Sequence, residues 1–251
     1  MLISTASDSI LTLSVDAEQF QLASIDQIWH RLIPSRFPPI RVYERIAAND
    51  QHDAVTELEV LTSPRVRARQ RLIGIGAVDE ASPQLQNWNH APFTYLNPEG
   101  SALFRPAIAV LELFDTLQTA LAVSVVRRER FLRSTRVPKL GLDMRVLTTR
   151  IRGEFADLRG AALPDNKSER WTIGDRLVKA QVDGVLFNCP ERSGASCLAV
   201  LNSGVLERSV QADHFRFVWD GARILSLYSF SGQGTVIAAD ALSGPAIKEL
   251  Q

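Results

Sequence analysis

The chain has 251 residues, 45% hydrophobic and 22% charged, with 28 basic and 28 acidic side chains that cancel. This excludes a disordered chain or a disulfide scaffold and leaves one large globular domain or two small ones, able to bury a core unaided. Zero net charge excludes a general attraction to nucleic acid or to an anionic membrane, and no apolar run approaches the ~20 residues of a membrane span.

The opening sequence, MLISTASDSILTLSVD, carries Asp8 early and has no basic leader region, so a signal peptide is not expected and a cytoplasmic location is. Residues 1–24 read as an arm containing the extended piece ILTLSV, and residues 25–251 as the domain proper. IDQIWHRLI, 25–33, suits either strand or helix, with a strand over 29–33 before Pro34 preferred, and Pro38 and Pro39 then force an extended path. DAVTELEVL, 53–61, has helical spacing at Val55, Leu58 and Leu61. Four arginines follow within 65–71; LIGIGAV, 72–78, reads as a strand, the stretch after it as a loop, and NPEG, 97–100, as a turn.

AIAVLELF, 107–114, predicts a short apolar strand that delivers the chain into a helix. Asp115 suits the N-cap of that helix, and Gln118 completes a capping-box spacing. Leu117, Ala120, Leu121, Ser124 and Val125 share one face. LDMRVLTTRI, 142–151, alternates like a strand, and EFADLR, 154–159, offers a second short one. TIGDRLVKAQ, 172–181, predicts a helix capped by Thr172, followed by strands at VLFN, 185–188, and SCLAVLN, 196–202. Two alternating runs around Asp220-Gly221 predict a hairpin over about 214–230. Strands scattered among a few helices, without repeats, imply one α+β domain.

Few side chains stand out as chemical. Arg31, beside Trp29 and His30, is either a phosphate anchor or a structural arginine with its stem packed on tryptophan. Glu112 lies in the apolar strand, where an unpaired carboxylate is costly. It is either a catalytic carboxylate or, the favoured expectation, half of an ion pair with Arg31 or Arg105. Cys189 offers a nucleophile, but nothing beside it in sequence supplies a base, so a buried thiol is expected. The eight-residue spacing of Cys189 and Cys197 allows a disulfide, and a reducing compartment favours two free thiols. His30, His52, His90 and His214 show no metal or triad spacing, and no metal is expected. The arginine runs at 65–71 and 127–136 are interleaved with apolar residues and Glu129. They read as a solvated helix face or a partner-docking surface and not as a nucleic-acid site.

WHRLIPSRFPP (29–39), HAPFTYLNPEGS (90–101), LQTALAVSVVRRERFL (117–132), VDGVLF (182–187) and CLAVL (197–201) occur together in the order and spacing of the RES family. The chain resembles that family over roughly residues 25–205. Members resemble ADP-ribosyltransferase-fold enzymes. They act as toxins in toxin–antitoxin pairs and consume NAD⁺ by phosphorolysis or hydrolysis, or transfer its ADP-ribose. The resemblance implies a single domain with a mixed sheet and flanking helices, NAD⁺ as substrate or ligand, and an antitoxin-like protein partner. It leaves a homo-oligomer open and places the C-terminal hairpin mostly beyond the matched region.

The resemblance also assigns positions. The phosphate-binding arginine falls on Arg31. The second arginine of the pattern is missing from Ser101-Ala102-Leu103, with Arg105 nearby on the chain. The strand tyrosine falls on Glu112, the glutamate on Val123, the serine on Cys189 and a following arginine on Glu191. Ser101, Arg105 and Cys189 thus join Arg31 as candidate cofactor-binding residues, and Glu112 is the candidate catalytic group. A valine cannot stabilise the oxocarbenium-like cation formed when the nicotinamide–ribose bond breaks. Losing a group aimed at developing charge commonly costs ~10²–10³ in rate. Two expectations follow: a binding, regulatory or structural module with a degenerate NAD⁺ site, or a diverged NAD⁺-consuming toxin using Arg31 and Glu112.

Overall fold

In the computed structural model, residues 20–35, 64–231 and 234–250 are described. The ILTLSV piece, the prolines at 38 and 39 and the helix expected over 53–61 lie outside the described residues. The strands are β1 (Leu22–Pro34), β2 (Leu111–Phe114), β3 (Leu140–Asp157), β4 (Gly184–Asn188), β5 (Ser196–Val200), β6 (Val210–Trp219), β7 (Ile224–Ser229) and β8 (Val236–Ala238). They form one sheet in the order β1-β2-β5-β4-β3-β6-β7-β8. Four α-helices accompany it among the described residues: α1 (Pro64–Gly74), α2 (Asn87–Thr94), α3 (Leu117–Thr135) and α4 (Lys167–Lys179).

The sheet is mixed. β3 and β4 run parallel, joined through α4 as a crossover, and the other pairs are antiparallel. β1 also pairs with β3 along its whole length, from Leu22↔Ala156 to Pro34↔Met144, so the pairings β1–β2–β5–β4–β3 close back on β1. The α+β class and mixed sheet therefore match the expectation.

Several local expectations are corrected. The two strands expected over 142–151 and 154–159 are the single strand β3. The intervening Gly153 marks a close approach and not a strand end: a Cβ there would lie 2.9 Å from both Asp183 Oδ2 and Val205 Cγ1. LIGIGAV is not a strand. Its first residues finish α1, whose end is closed by Ala77 N donating to Leu72 O (3.0 Å) and Gly76 N donating to Ile73 O (2.9 Å), with Gly76 at φ +66°. The loop expected before NPEG contains α2. That eight-residue helix is held by tertiary hydrogen bonds: Asn89 Nδ2 donates to Pro83 O and Glu207 O (3.0 Å each), and Gln86 exchanges two bonds with the backbone of Ser209.

The helix caps also differ. Thr116 caps α3, its Oγ1 accepting from Thr119 N (3.2 Å), while the Asp115 carboxylate turns to β5 and accepts from Ser196 N (2.6 Å). Gln118 reaches away from the helix to the C-terminal segment, donating to Leu242 O and Pro245 O and accepting from Ile247 N. α4 starts five residues before Thr172, at Lys167, and Asn166 is its cap. The hairpin forms between β6 and β7, but its loop spans Asp220 to Arg223, with Asp220 Oδ1 accepting from Ala222 N and Arg223 N.

α3 is buried around most of its first two turns because it packs between two cores. Ala120 and Val123 join a cluster with Phe114, Phe187 and Leu177 of α4, whereas Leu121, Val125 and Leu132 join Met144, Phe215, Phe217 and Trp219. A third cluster, including Trp29, Leu111, Leu113, Ile151 and Phe155, takes up the opposite side chains of β2. Gly174 lets α4 press on residue 103, since a Cβ there would meet Leu103 O at 2.0 Å.

Candidate functional site

β2 alternates. Leu111 and Leu113 enter the third core, so Glu112 and Phe114 fall on the other face, toward α3. α3 begins three residues after β2 ends and brings Val123, Ser124, Arg127 and Arg128 along that face at i, i+3 and i+4 spacing. β1 contributes Arg31, and the segment after α2 contributes Tyr95, Asn97 and Ser101. These residues line a cleft of about 270 Å³.

Arg31 is 8% exposed. Its Nη2 donates to the carbonyl oxygen of Trp88, and its Nε has no partner among the described residues. Pro92 accounts for that anchor. It sits four residues after Trp88 within α2 and has no N–H, so the Trp88 carbonyl lacks its helical donor and takes the guanidinium instead. Burial pulls the Arg31 guanidinium down to about 10, and it stays cationic at neutral pH.

Glu112 pairs with Arg127, Oε2 to Nη2 at 2.8 Å, the carboxylate side chain 13% and the arginine 45% exposed. The ion pair is as expected in kind, but its partner is neither Arg31 nor Arg105. Burial works against the charge of Arg127, and Glu112 and then Glu191 outweigh it, holding the guanidinium above its ordinary value. Arg127 also lies over the Phe114 ring at 5.6 Å. Burial, then the adjacent Arg127 charge, holds Arg128 below its ordinary value. Three guanidinium groups and one carboxylate thus line the cleft, a formal excess of two positive charges in a neutral chain.

Val123 is fully buried, with an aliphatic side chain among the lining residues. Ser101 lines the cleft at the end of the Asn97–Gly100 turn, its Oγ accepting from Phe104 N (3.1 Å). Gly100 is required in that turn: φ is +69° and a Cβ would meet Phe104 O at 2.6 Å.

Arg105 and Cys189 do not line the cleft. Arg105 is held by Asp175, Nε to Oδ2 at 2.9 Å, and by the Trp171 ring. Cys189 and Cys197 are free, buried thiols. A hydrogen bond from Cys197 holds the Cys189 thiol below its usual range, and the same contact, with burial, drives Cys197 far up. Among the described residues no cluster of three or more His, Cys, Asp or Glu side chains could hold a metal ion, and no helix is long and apolar enough to cross a membrane.

The structure therefore brings together Arg31, Ser101, Glu112 and Val123, and leaves Arg105 and Cys189 out. Sequence reasoning missed Arg127 and Arg128, which fall in the arginine run that reads as a solvated helix face or a partner-docking surface. The available signal was their spacing, four residues beyond Val123 and Ser124 on one helix. Beyond them Arg130, Arg133 and Arg136 are exposed, as expected.

Comparison with known proteins gives the family. The sequence matches the RES domain over residues 78–220. It is 45% identical over 221 residues to a Sinorhizobium fredii (strain NBRC 101917 / NGR234) protein described as uncharacterized protein y4oC, covering 88% of this chain and 95% of that one. Among solved structures, the M. tuberculosis MbcT–MbcA toxin–antitoxin complex contains a chain that is 14% identical, with TM-score 0.40, over 76% of this chain and 86% of that one. With a domain match across more than half its length and a relative at this identity over nearly all of it, the chain belongs to the RES domain family.

Proposed function

We propose that this protein is a nucleotide-binding module of RES type that holds NAD⁺ or a related ligand in the cleft without the turnover of its family. One observation carries the reading. At the position where the family resemblance calls for a glutamate, the cleft has the fully buried Val123, and its carboxylate, Glu112, is committed to Arg127 at 2.8 Å. Cleavage of the nicotinamide–ribose bond places the bonding electrons on the ring nitrogen and positive charge on the ribose. A carboxylate already neutralised by a guanidinium is a poor stabiliser of that cation. Arg31 supplies a fixed, buried donor for phosphate oxygens. The family resemblance adds an antitoxin-like protein as partner, and the pair of free thiols fits a reducing cytoplasm.

The second reading is an NAD⁺-consuming toxin of a toxin–antitoxin pair, and what favours it is that Glu112 lines the same cleft as Arg31. Freed from Arg127, its carboxylate would serve the ribose cation from the strand side while water or phosphate attacks the anomeric carbon. Purified protein incubated with NAD⁺, with and without phosphate, separates the two readings. Nicotinamide release at background level, with NAD⁺ binding that Arg31→Ala removes, is expected. Turnover that Glu112→Gln abolishes would overturn the module reading.

A further inference from the structure

Among the described residues, Arg127 is the guanidinium of the cleft that meets a carboxylate, while Arg31 and Arg128 line it without an ion pair. The three differ in freedom. Arg31 is buried and fixed by the Trp88 carbonyl, whereas Arg127 projects from α3 with nearly half its side chain in solvent. Glu112 lies on the rigid strand β2, held between β1 and β5. The more exposed partner of the ion pair is therefore the cation.

We propose that Glu112 is a built-in counter-ion: it occupies the anion-binding fork of Arg127 when no ligand is bound, and a dianionic phosphate group binds by taking Arg127 from it. The formal excess of two positive charges matches the two negative charges of a phosphate monoester near neutral pH. The planar fork of arginine matches phosphate oxygens as well as it matches a carboxylate, so a phosphate oxygen can take the place of the Glu112 oxygen at Arg127 Nη2. Size points the same way. The cleft's 270 Å³ lies just below the ~300–1,000 Å³ span of ligand pockets, which suits a sugar phosphate better than both halves of a dinucleotide. Affinity is then set by competition: Glu112 raises the threshold an anion must exceed and discriminates against singly charged ones. The inference rests on the cleft being the binding site and not on NAD⁺ being its ligand.

Isothermal titration of the full chain with ribose 5-phosphate, inorganic phosphate and NAD⁺, at fixed low salt, tests it. Glu112→Gln is expected to bind ribose 5-phosphate about tenfold more tightly than the unsubstituted protein. Adding Arg127→Gln to that variant is expected to remove the gain, because the freed fork supplies it. An unchanged or weakened affinity in Glu112→Gln overturns the proposal. So does a double variant that keeps the gain, since relief of the carboxylate field alone would then explain it. Circular dichroism checks folding. If Glu112→Gln does not fold, Glu112→Asp, with a shorter reach to Arg127, is expected to give a smaller rise, and no rise overturns the proposal. Failure of NAD⁺ to bind while the sugar-phosphate pattern holds removes the dinucleotide reading and supports this one. NAD⁺ binding without the pattern does the reverse.

Discussion

Arg31 is a cation taken out of water beside a carbonyl and without a carboxylate among the described residues. Burying an ion in this way costs several kcal/mol even after relaxation. The fold recovers part of that through the Trp88 carbonyl that Pro92 leaves without a donor. An anion arriving in the cleft would offset more, which supports the proposal that Arg31 serves ligand binding as well as packing. Burial shifts His30, its neighbour, in the same direction. Desolvation lowers its pKa below 6.5, against weaker opposing effects of the Phe114 backbone hydrogen bond and the Asp115 charge. A histidine depressed in the folded state stabilises the fold at pH above its unfolded value. That contribution is lost as pH falls below about 6.5 and through the folded value. A proton-detected titration of the imidazoles should place the His30 midpoint below 6.5, and a midpoint above it would contradict the burial described here.

At the scale of elements, α3 organises the site, and its start is fixed by Thr116. Thr116→Ala should destabilise the protein by about 1 kcal/mol in denaturant titration, the usual cost of a lost N-cap. Asp115→Ala should leave the cap intact and act on the α3–β5 junction, through loss of the bond from Ser196 N. Sequence reading found the helix and its apolar face but chose the wrong cap, because Asp115 and Thr116 are adjacent and both are good capping residues. Only the path of β2 into β5 decides which side chain is left for the helix. The strand carrying Glu112 was legible as a short apolar run, although of the expected residues 107–114 only Leu111–Phe114 form it, and the turn carrying Ser101 was legible from the Asn-Pro-Glu-Gly signal. α2 was not, since eight residues with an internal proline carry no helical period and are held by Asn89 and Gln86.

At the scale of the whole molecule, the sheet closes β1 onto β3 and buries both thiols near the β4–β5 turn. Cys189 and Cys197 should therefore react with a thiol reagent only as fast as the protein unfolds globally, both together. Rapid modification of one thiol in native buffer would contradict their burial. The same closure carries Arg31, far from the rest of the site in sequence, to the cleft formed by β2 and α3.

The sequence by itself determined the family, the α+β class, the hairpin and the candidacy of Arg31, Ser101 and Glu112, because periodicity, turn chemistry and motif order are local properties of the chain. Tertiary structure decided the partner of Glu112, the exclusion of Arg105 and Cys189, and the entry of Arg127 and Arg128 into the cleft. Those outcomes depend on which elements meet in space. A charge finds its counter-ion by distance, and distance between β2 and the third turn of α3 is set by packing that no run of adjacent residues encodes.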